Sequence, residues 1–217
     1  HVTIAGNTAD AGGGMSLLFS NPTLTHVTIS GNTASGSGGG GMYIESSNPT
    51  LTHVTISGNT ATYNSGGMYV LLSNPTLTHV TIADNTAAYG GGGMRLFSSN
   101  LTLTNSIVWN NSPESIYIAS YNSPVITYSD VEGGWEGEGN IDADPLFTDP
   151  NNGDYSLQDG SPCIDAGTAD IDGDGVDDIT DYAGSAPDMG AYEFGESSVI
   201  MPGDTNFDGI VDILDIV

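Results

Sequence analysis

Apolar and polar positions alternate along this chain over short stretches, and the stretches recur. Thr-Leu-Thr-His-Val-Thr-Ile stands at 23–29, 50–56 and 76–82, while Met-Tyr-Ile-Glu at 42–45 has counterparts at 68–71 and 94–97. A period of two, set between Gly runs and Asn-Pro or Ser-Asn steps, predicts short strands closed by turns and disfavours a helical repeat. The repeated unit also lacks the leucine pattern of a leucine-rich repeat.

The full unit, Asn-Pro-Thr-Leu-Thr-His-Val-Thr-Ile-Ser-Gly-Asn-Thr-Ala, occupies 21–34 and 48–61, returns with small changes at 74–87, and is degenerate at 100–112. Residues 1–9 are its second half, so the chain reads as a piece of a longer protein. The period is 25 to 27 residues, and only the stretch from the Asn column (7, 32, 59, 85, 111) to the Met column (15, 42, 68, 94) varies, at 8, 10, 9 and 9. The economical solution is a parallel β-helix, each unit one coil, with every column stacked on itself at about 4.8 Å. Leu24, Leu51, Leu77 and Leu103, with the Val27, Val54, Val80 column and the Ile column beside it, are expected to fill the interior. The Met column then packs a corner after each Gly run, and the Asn column forms an amide ladder at a turn. The stretches 8–14, 33–41, 60–67 and 86–93 are expected to be the variable loops, the surface on which anything bound would sit.

Composition adds constraints. The chain has 217 residues, 27 acids against one base, Arg95, and a formal net charge of -26. One cation cannot neutralise a phosphate backbone or an anionic membrane surface, which excludes nucleic-acid binding and membrane-surface attachment by charge. No apolar run is long enough to span a bilayer. The single Cys163 excludes an internal disulfide framework. The charge is also unevenly placed: residues 1–112 hold Asp10, Glu45, Asp84 and Arg95 for a net of -2, which leaves 24 acids and no base beyond them.

Those acids include two runs with metal-ligand spacing. Asp170, Asp172, Asp174, Val176, Asp178 and Asp181 fall at positions 1, 3, 5, 7, 9 and 12 of an EF-hand-like loop, with Gly175 at the sharp turn. Asp204, Asn206, Asp208, Ile210, Asp212 and Asp215 repeat the arrangement around Gly209. Oxygen ligands at alternate positions, with backbone carbonyls from Val176 and Ile210, suit Ca2+, and two calcium sites are predicted. The first run, followed by Tyr182-Ala-Gly-Ser-Ala-Pro, belongs to irregular structure.

Beyond residue 112 the exact repeat dissolves, and strands at 115–120 and 124–129 suggest one or two further coils. Four motifs then follow in order: Asn140-Ile-Asp-Ala-Asp-Pro-Leu-Phe, Gly153-Asp-Tyr-Ser-Leu-Gln, Ser161-Pro-Cys-Ile-Asp-Ala-Gly and Asp188-Met-Gly-Ala-Tyr-Glu-Phe. This set resembles the closing segment of bacterial right-handed parallel β-helix proteins of the choice-of-anchor and polymorphic-outer-membrane-protein type. The resemblance implies an all-β, right-handed, single-stranded solenoid and a secreted, surface-associated architecture, without implying a reaction. Such proteins usually carry a basic residue just before the Asp-Met-Gly step; here Ala186-Pro187 stands there, which leaves any ion pair at that place without its cation. The final run, with Pro202-Gly203 before it and Ile213-Leu-Asp-Ile-Val after it, looks like the first calcium loop of a dockerin, and a complete dockerin in a longer chain would bind a cohesin.

The expected organisation is a β-helix over 1–165 (regular coils 1–112, degenerate coils and cap 113–165), an acidic calcium-loop and closing segment over 166–195, a linker over 196–203, and a truncated dockerin-like loop over 204–217. Two residue sets keep two readings each. The His column (1, 26, 53, 79, then Asn105) is either a polar bend or a metal site or pH switch. Trp109, in a column of Ser30, Ser57 and Ala83, either covers the last regular coil or offers a sugar a stacking platform. Functionally, the expectation is an extracellular calcium-binding structural or adhesive module, secreted or attached to the cell surface, whose coils stack end to end with a second copy as in a filament. The alternative is a polysaccharide-binding or polysaccharide-degrading β-helix carried by a dockerin. Against catalysis, a lyase lacks cations beyond Arg95, and Asp10, Glu45 and Asp84 lie in three columns, so they cannot face one another as a glycosidase pair.

Overall fold

Each Thr-Leu-Thr-His-Val-Thr-Ile stretch forms one strand bent at its histidine, and these strands stack in register. A computed structural model describes residues 1–120 and 122–195. On the first face, Val2–Ala5, Thr23–Ser30, Thr50–Ser57 and Thr76–Ala83 pair in parallel, followed by Thr102–Thr104 with Ile107–Trp109 and then Val125–Thr127 with Asp130–Val131. The register matches like with like: Leu24, Leu51, Leu77 and Leu103 form one row, and Ile29, Ile56 and Ile82 another. A third face stacks Met15–Leu18, Met42–Glu45, Met68–Leu71, Met94–Phe97 and Ile116–Ile118 in the same way. Leu51, Leu77, Ile56, Ile82, Met42, Met68 and Met94 are fully buried in a single core that runs along the solenoid. The fold is an all-β parallel β-solenoid of about five coils.

The second face corrects an expectation. The segments read as loops begin with strands, Thr8–Ala11, Thr33–Gly38, Thr60–Asn64 and Thr86–Tyr89, which pair in parallel. Two or three alternating residues are too short a signal to separate from a loop, and the register shifts after the second pair on two of the three steps. Inward Ala34, Ala61 and Ala87 form their own small buried cluster. The Gly runs follow because the chain passes hard against the next coil: a Cβ on Gly66 would lie 2.4 Å from the backbone nitrogen of Thr86.

Corners explain the polar columns. His26, His53, His79 and Asn105 all have φ of 50° to 52°, the left-handed region, which His and Asn enter more readily than most residues. A second corner uses Gly6, Gly31, Gly58, Asp84 and Asn110 in the same region. The third uses Phe19, Ser46, Leu72 and Ser98, and there Leu72, at φ 50° and 56% exposed, is held in a conformation its side chain disfavours for little burial in return. Leu72→Asn is therefore expected to raise stability by about 1 kcal/mol, read as an upward shift of the thermal midpoint; a midpoint at or below that of the parent would mean that this corner is unstrained.

After Val131 the chain closes the end of the rod and turns back along its side. Trp135 packs on the end of the core. Phe147–Asp149 and Asp154–Leu157 form an antiparallel hairpin, and residues beyond it form a strap lying on the outside of the first face.

Candidate functional site

The strap follows one outward column of the rod, Thr28, Thr55, Thr81, Ile107 and Asp130, which stack in consecutive coils. Its contacts run down that column. Thr55 donates its hydroxyl to Tyr192 Oη at 3.2 Å, the Ala191 N–H donates to Thr81 Oγ1 at 2.9 Å, and the Cys163 thiol donates to Asp130 Oδ2 at 3.3 Å. Ile107, Cys163 and Met189 form a second buried cluster between rod and strap, with Phe194 packed against it. Asn105 adds a two-way clasp, accepting from the Thr168 N–H and donating to the Thr168 carbonyl, both at 2.8 Å.

The closing motifs are the residues that hold this strap. Asp188, almost fully buried, accepts from the backbone N–H of Asp165 and Phe194. Asp165 in turn accepts from Ser185 and Ala186, and these carboxylate-to-backbone bonds hold its carboxyl below the usual range. At Ala186-Pro187, where the resemblance implies a cation, the segment is tied by carboxylates to N–H groups.

The first acidic run lies in an exposed loop of this strap. Carboxylate oxygens of Asp170, Asp172 and Asp174 come within 4.8 Å of one another. Asp170 accepts from the N–H of Gly173 and Gly175 at 2.7 and 2.8 Å, and Gly175, at φ 86°, makes the turn that brings the loop round. Asp178 points elsewhere, accepting from Ile171 and Asp172 N–H at 2.9 and 3.3 Å, and neither it nor Asp181 belongs to the converging group. Val176, the predicted carbonyl donor, is exposed and gives its N–H to Asp174. The second run, Asp204, Asn206, Asp208, Ile210, Asp212 and Asp215, lies outside the described residues.

The histidines form a real stack. Ring centroids lie 5.2, 5.0 and 4.9 Å apart from His1 to His79, and the last two steps are face to face. The strap covers the far end: His79 is buried, Asn105 Nδ2 lies 3.3 Å from its Nε2, and His53 Nδ1 lies 3.4 Å from the Ala191 carbonyl. Burial and then the neighbouring His53 push His79 down to about 4, and the same two causes lower His26. Among the described residues, the histidines belong to no group of three or more converging metal ligands. The corner conformation accounts for the column's acceptance of either His or Asn.

Sequence reasoning missed the Asp130–Cys163 pair. Asp130 is fully buried and accepts from the Ala143 N–H at 3.2 Å as well as from the thiol. Burial pushes its carboxyl up to about 6, and pushes the Cys163 thiol well above its ordinary range. The available signal was an acid in a column of Thr and Ile, between Ser129 and Val131. Arg95 lies on the third face, 4.5 Å from the Tyr117 ring, and its Nε has no hydrogen-bond partner among the described residues. Glu45 accepts from Tyr43 and Asp84 from Tyr155, on separate parts of the rod. Half-buried Trp109 packs one part of its ring system against the second cluster and also lines a depression beside Asp84 and Asn110.

A family model described as the right handed beta helix region matches residues 18–137, more than half of the 217 residues. The chain belongs to the right-handed β-helix family. It matches no curated protein and no solved structure. The right-handed β-helix match takes in the rod from the end of the first third-face strand to just past Trp135 and stops before the strap, so the acidic loop and the closing contacts lie beyond what the family describes. No helix of the described residues is long and apolar enough to cross a membrane.

Proposed function

We propose that the chain is an extracellular calcium-binding β-helical module with a structural or adhesive role. The observation that supports this reading best is the convergence of the Asp170, Asp172 and Asp174 carboxylates in a loop belonging to the strap clamped along the rod. Calcium at that loop would offset two of the three like charges and hold the turn of the strap closed, stiffening the rod's flank. The second acidic run would bind a second ion and, through its dockerin-like pattern, a cohesin, while stacking of coils end to end would extend the rod into a filament.

The test is calorimetric titration with Ca2+ beside thermal unfolding and amide exchange. Extracellular calcium modules bind at Kd of about 10⁻⁴–10⁻³ M, so calcium in tens-fold excess should stabilise by about 2 kcal/mol. Chelator should remove that gain, with faster exchange concentrated beyond residue 165, and Asp172→Asn with Asp174→Asn should abolish the response of a chain ending at residue 195. Identical melting and exchange in chelator and in about 5 mM Ca2+ would overturn the calcium reading.

A further inference from the structure

We propose that the depression at the corner between the first and second faces is a binding site for a neutral sugar unit of an oligosaccharide. This goes beyond the calcium reading, since neither the strap nor its acidic loop requires the depression to exist. Its volume is about 330 Å³, and it is open on one side. That lies at the lower end of small-molecule sites, about 300–1,000 Å³, the scale of one or two sugar rings.

Three parts of the chain build it. The rod contributes Trp109 from the end of a first-face strand, together with the corner residues Asp84 and Asn110. The approach to the hairpin contributes Asp144, and the hairpin contributes Phe147 and Gln158 at its two ends. The frame is fixed from behind: Asp84 accepts from the Tyr155 hydroxyl at 2.7 Å and from Asn110 Nδ2, Tyr155 is buried, and its ring meets Phe147 edge to face at 5.2 Å. Gln158 Nε2 donates to the Phe147 carbonyl at 2.7 Å, and Asp144 Oδ1 accepts from the Leu146 N–H at 3.0 Å. Gln158 Oε1 and Asp144 Oδ2 are left to accept from a ligand.

The lining selects the chemistry. Aromatic surface from Trp109 and Phe147 suits the C–H face of a ring, and the free acceptors suit hydroxyl donors on its rim. The lining contains no cation, and the chain's one guanidinium, Arg95, lies on the third face, so a uronate or a sulfated unit meets only repulsion. A cationic ligand would gain attraction from Asp84 and Asp144 but little hydrogen bonding, because both Asp84 oxygens already hold donors and only one Asp144 oxygen remains.

Cellohexaose, xylohexaose, mannohexaose, a chitosan hexamer and a galacturonate hexamer, titrated into the 15N-labelled chain in calcium and again in chelator, provide the test. The two tryptophans give two indole signals: Trp109 should move saturably with at least one neutral hexamer, while Trp135 stays still. Trp109→Ala should weaken that binding by about tenfold or more. Gln158→Ala, at an exposed position that leaves the fold intact, should weaken it several-fold. A still Trp109 signal with every neutral hexamer at about 10 mM, or tighter binding of the chitosan or galacturonate hexamer, overturns the proposal. Loss of the calcium response with sugar binding intact would sink only the calcium reading.

Discussion

Asn59→Ala should cost about 3 kcal/mol or more, because a buried backbone N–H loses its partner and two buried amide-to-amide bonds go with it. Asn59 is fully buried in the ladder that runs through Asn7, Asn32, Asn59, Asn85 and Asn111. Its Oδ1 accepts from both the N–H and the Nδ2 of Asn32, at 2.9 and 3.0 Å, while its own Nδ2 donates to the Ile29 carbonyl and to Asn85 Oδ1. Alanine leaves the Asn32 N–H unpaired where water does not reach, at about 1–3 kcal/mol, and removes both amide-to-amide bonds at about 1 kcal/mol each, while the Ile29 carbonyl keeps its place in the strand ladder. The outer ladder provides the control. Asn48 bridges coils in the same way, giving its N–H to Asn21 Oδ1 and accepting from Asn74 N–H, yet it is exposed and water replaces the amide. Asn48→Ala should cost about 1 kcal/mol or less. Equal losses for the two in denaturant unfolding would mean that burial does not set the strength of the ladder.

The contrast between those two columns was not legible in the sequence, although both columns were. Repeats announce which residues stack, and the Leu, Ile, Met and inner Asn rows stack as the period required. What a repeat cannot announce is which face of a short strand looks inward when only two residues alternate, and hence the second face passed as a set of loops. Nor does periodicity reach the strap, whose residues occur once. Its partners had to be read from breaks in the rod's own columns: Ile107 and Asp130 replace Thr in the row beneath it, and Trp109 replaces a small residue beside it. In a solenoid, a column that changes character marks the coil where something from outside docks.

The acidic loop was legible only as spacing. Alternate Asp residues and Gly175 fix a turn in which three carboxylates converge, but the later positions depend on where the chain goes next. Asp178 turns back to satisfy two N–H groups of the loop's own start, a use no ligand pattern foresees.

The strap interface should carry two proton-linked terms of opposite sign, and single substitutions should separate them. His79 has its folded value lowered to about 4 by burial and by His53, with the carbonyls of Gly190 and Asp188 opposing only in part. Between that value and an unfolded value of about 6.5 the unfolded chain binds the extra proton, so this term is absent above about pH 6.5 and destabilises progressively as pH falls towards 4. Asp130 has its folded value raised to about 6 by burial, with Asp142 and Asp144 adding repulsion and the Ala143 N–H and Cys163 thiol opposing. There the folded chain holds the extra proton, so the cost of the buried carboxylate is present above about pH 6 and is relieved as pH falls towards 4. At about 1.4 kcal/mol per unit, each term amounts to about 3 kcal/mol across nearly the same window, and the two largely cancel. His79→Asn keeps the corner conformation, as Asn105 does in the next coil, and relative to the parent it should gain about 3 kcal/mol on acidification from about pH 7 to 4. Asp130→Asn should lose about as much relative to the parent over the same range, and the double variant should track it. The measurement is unfolding free energy against pH for all four chains; a difference curve that stays flat for either single variant removes that residue from the linkage.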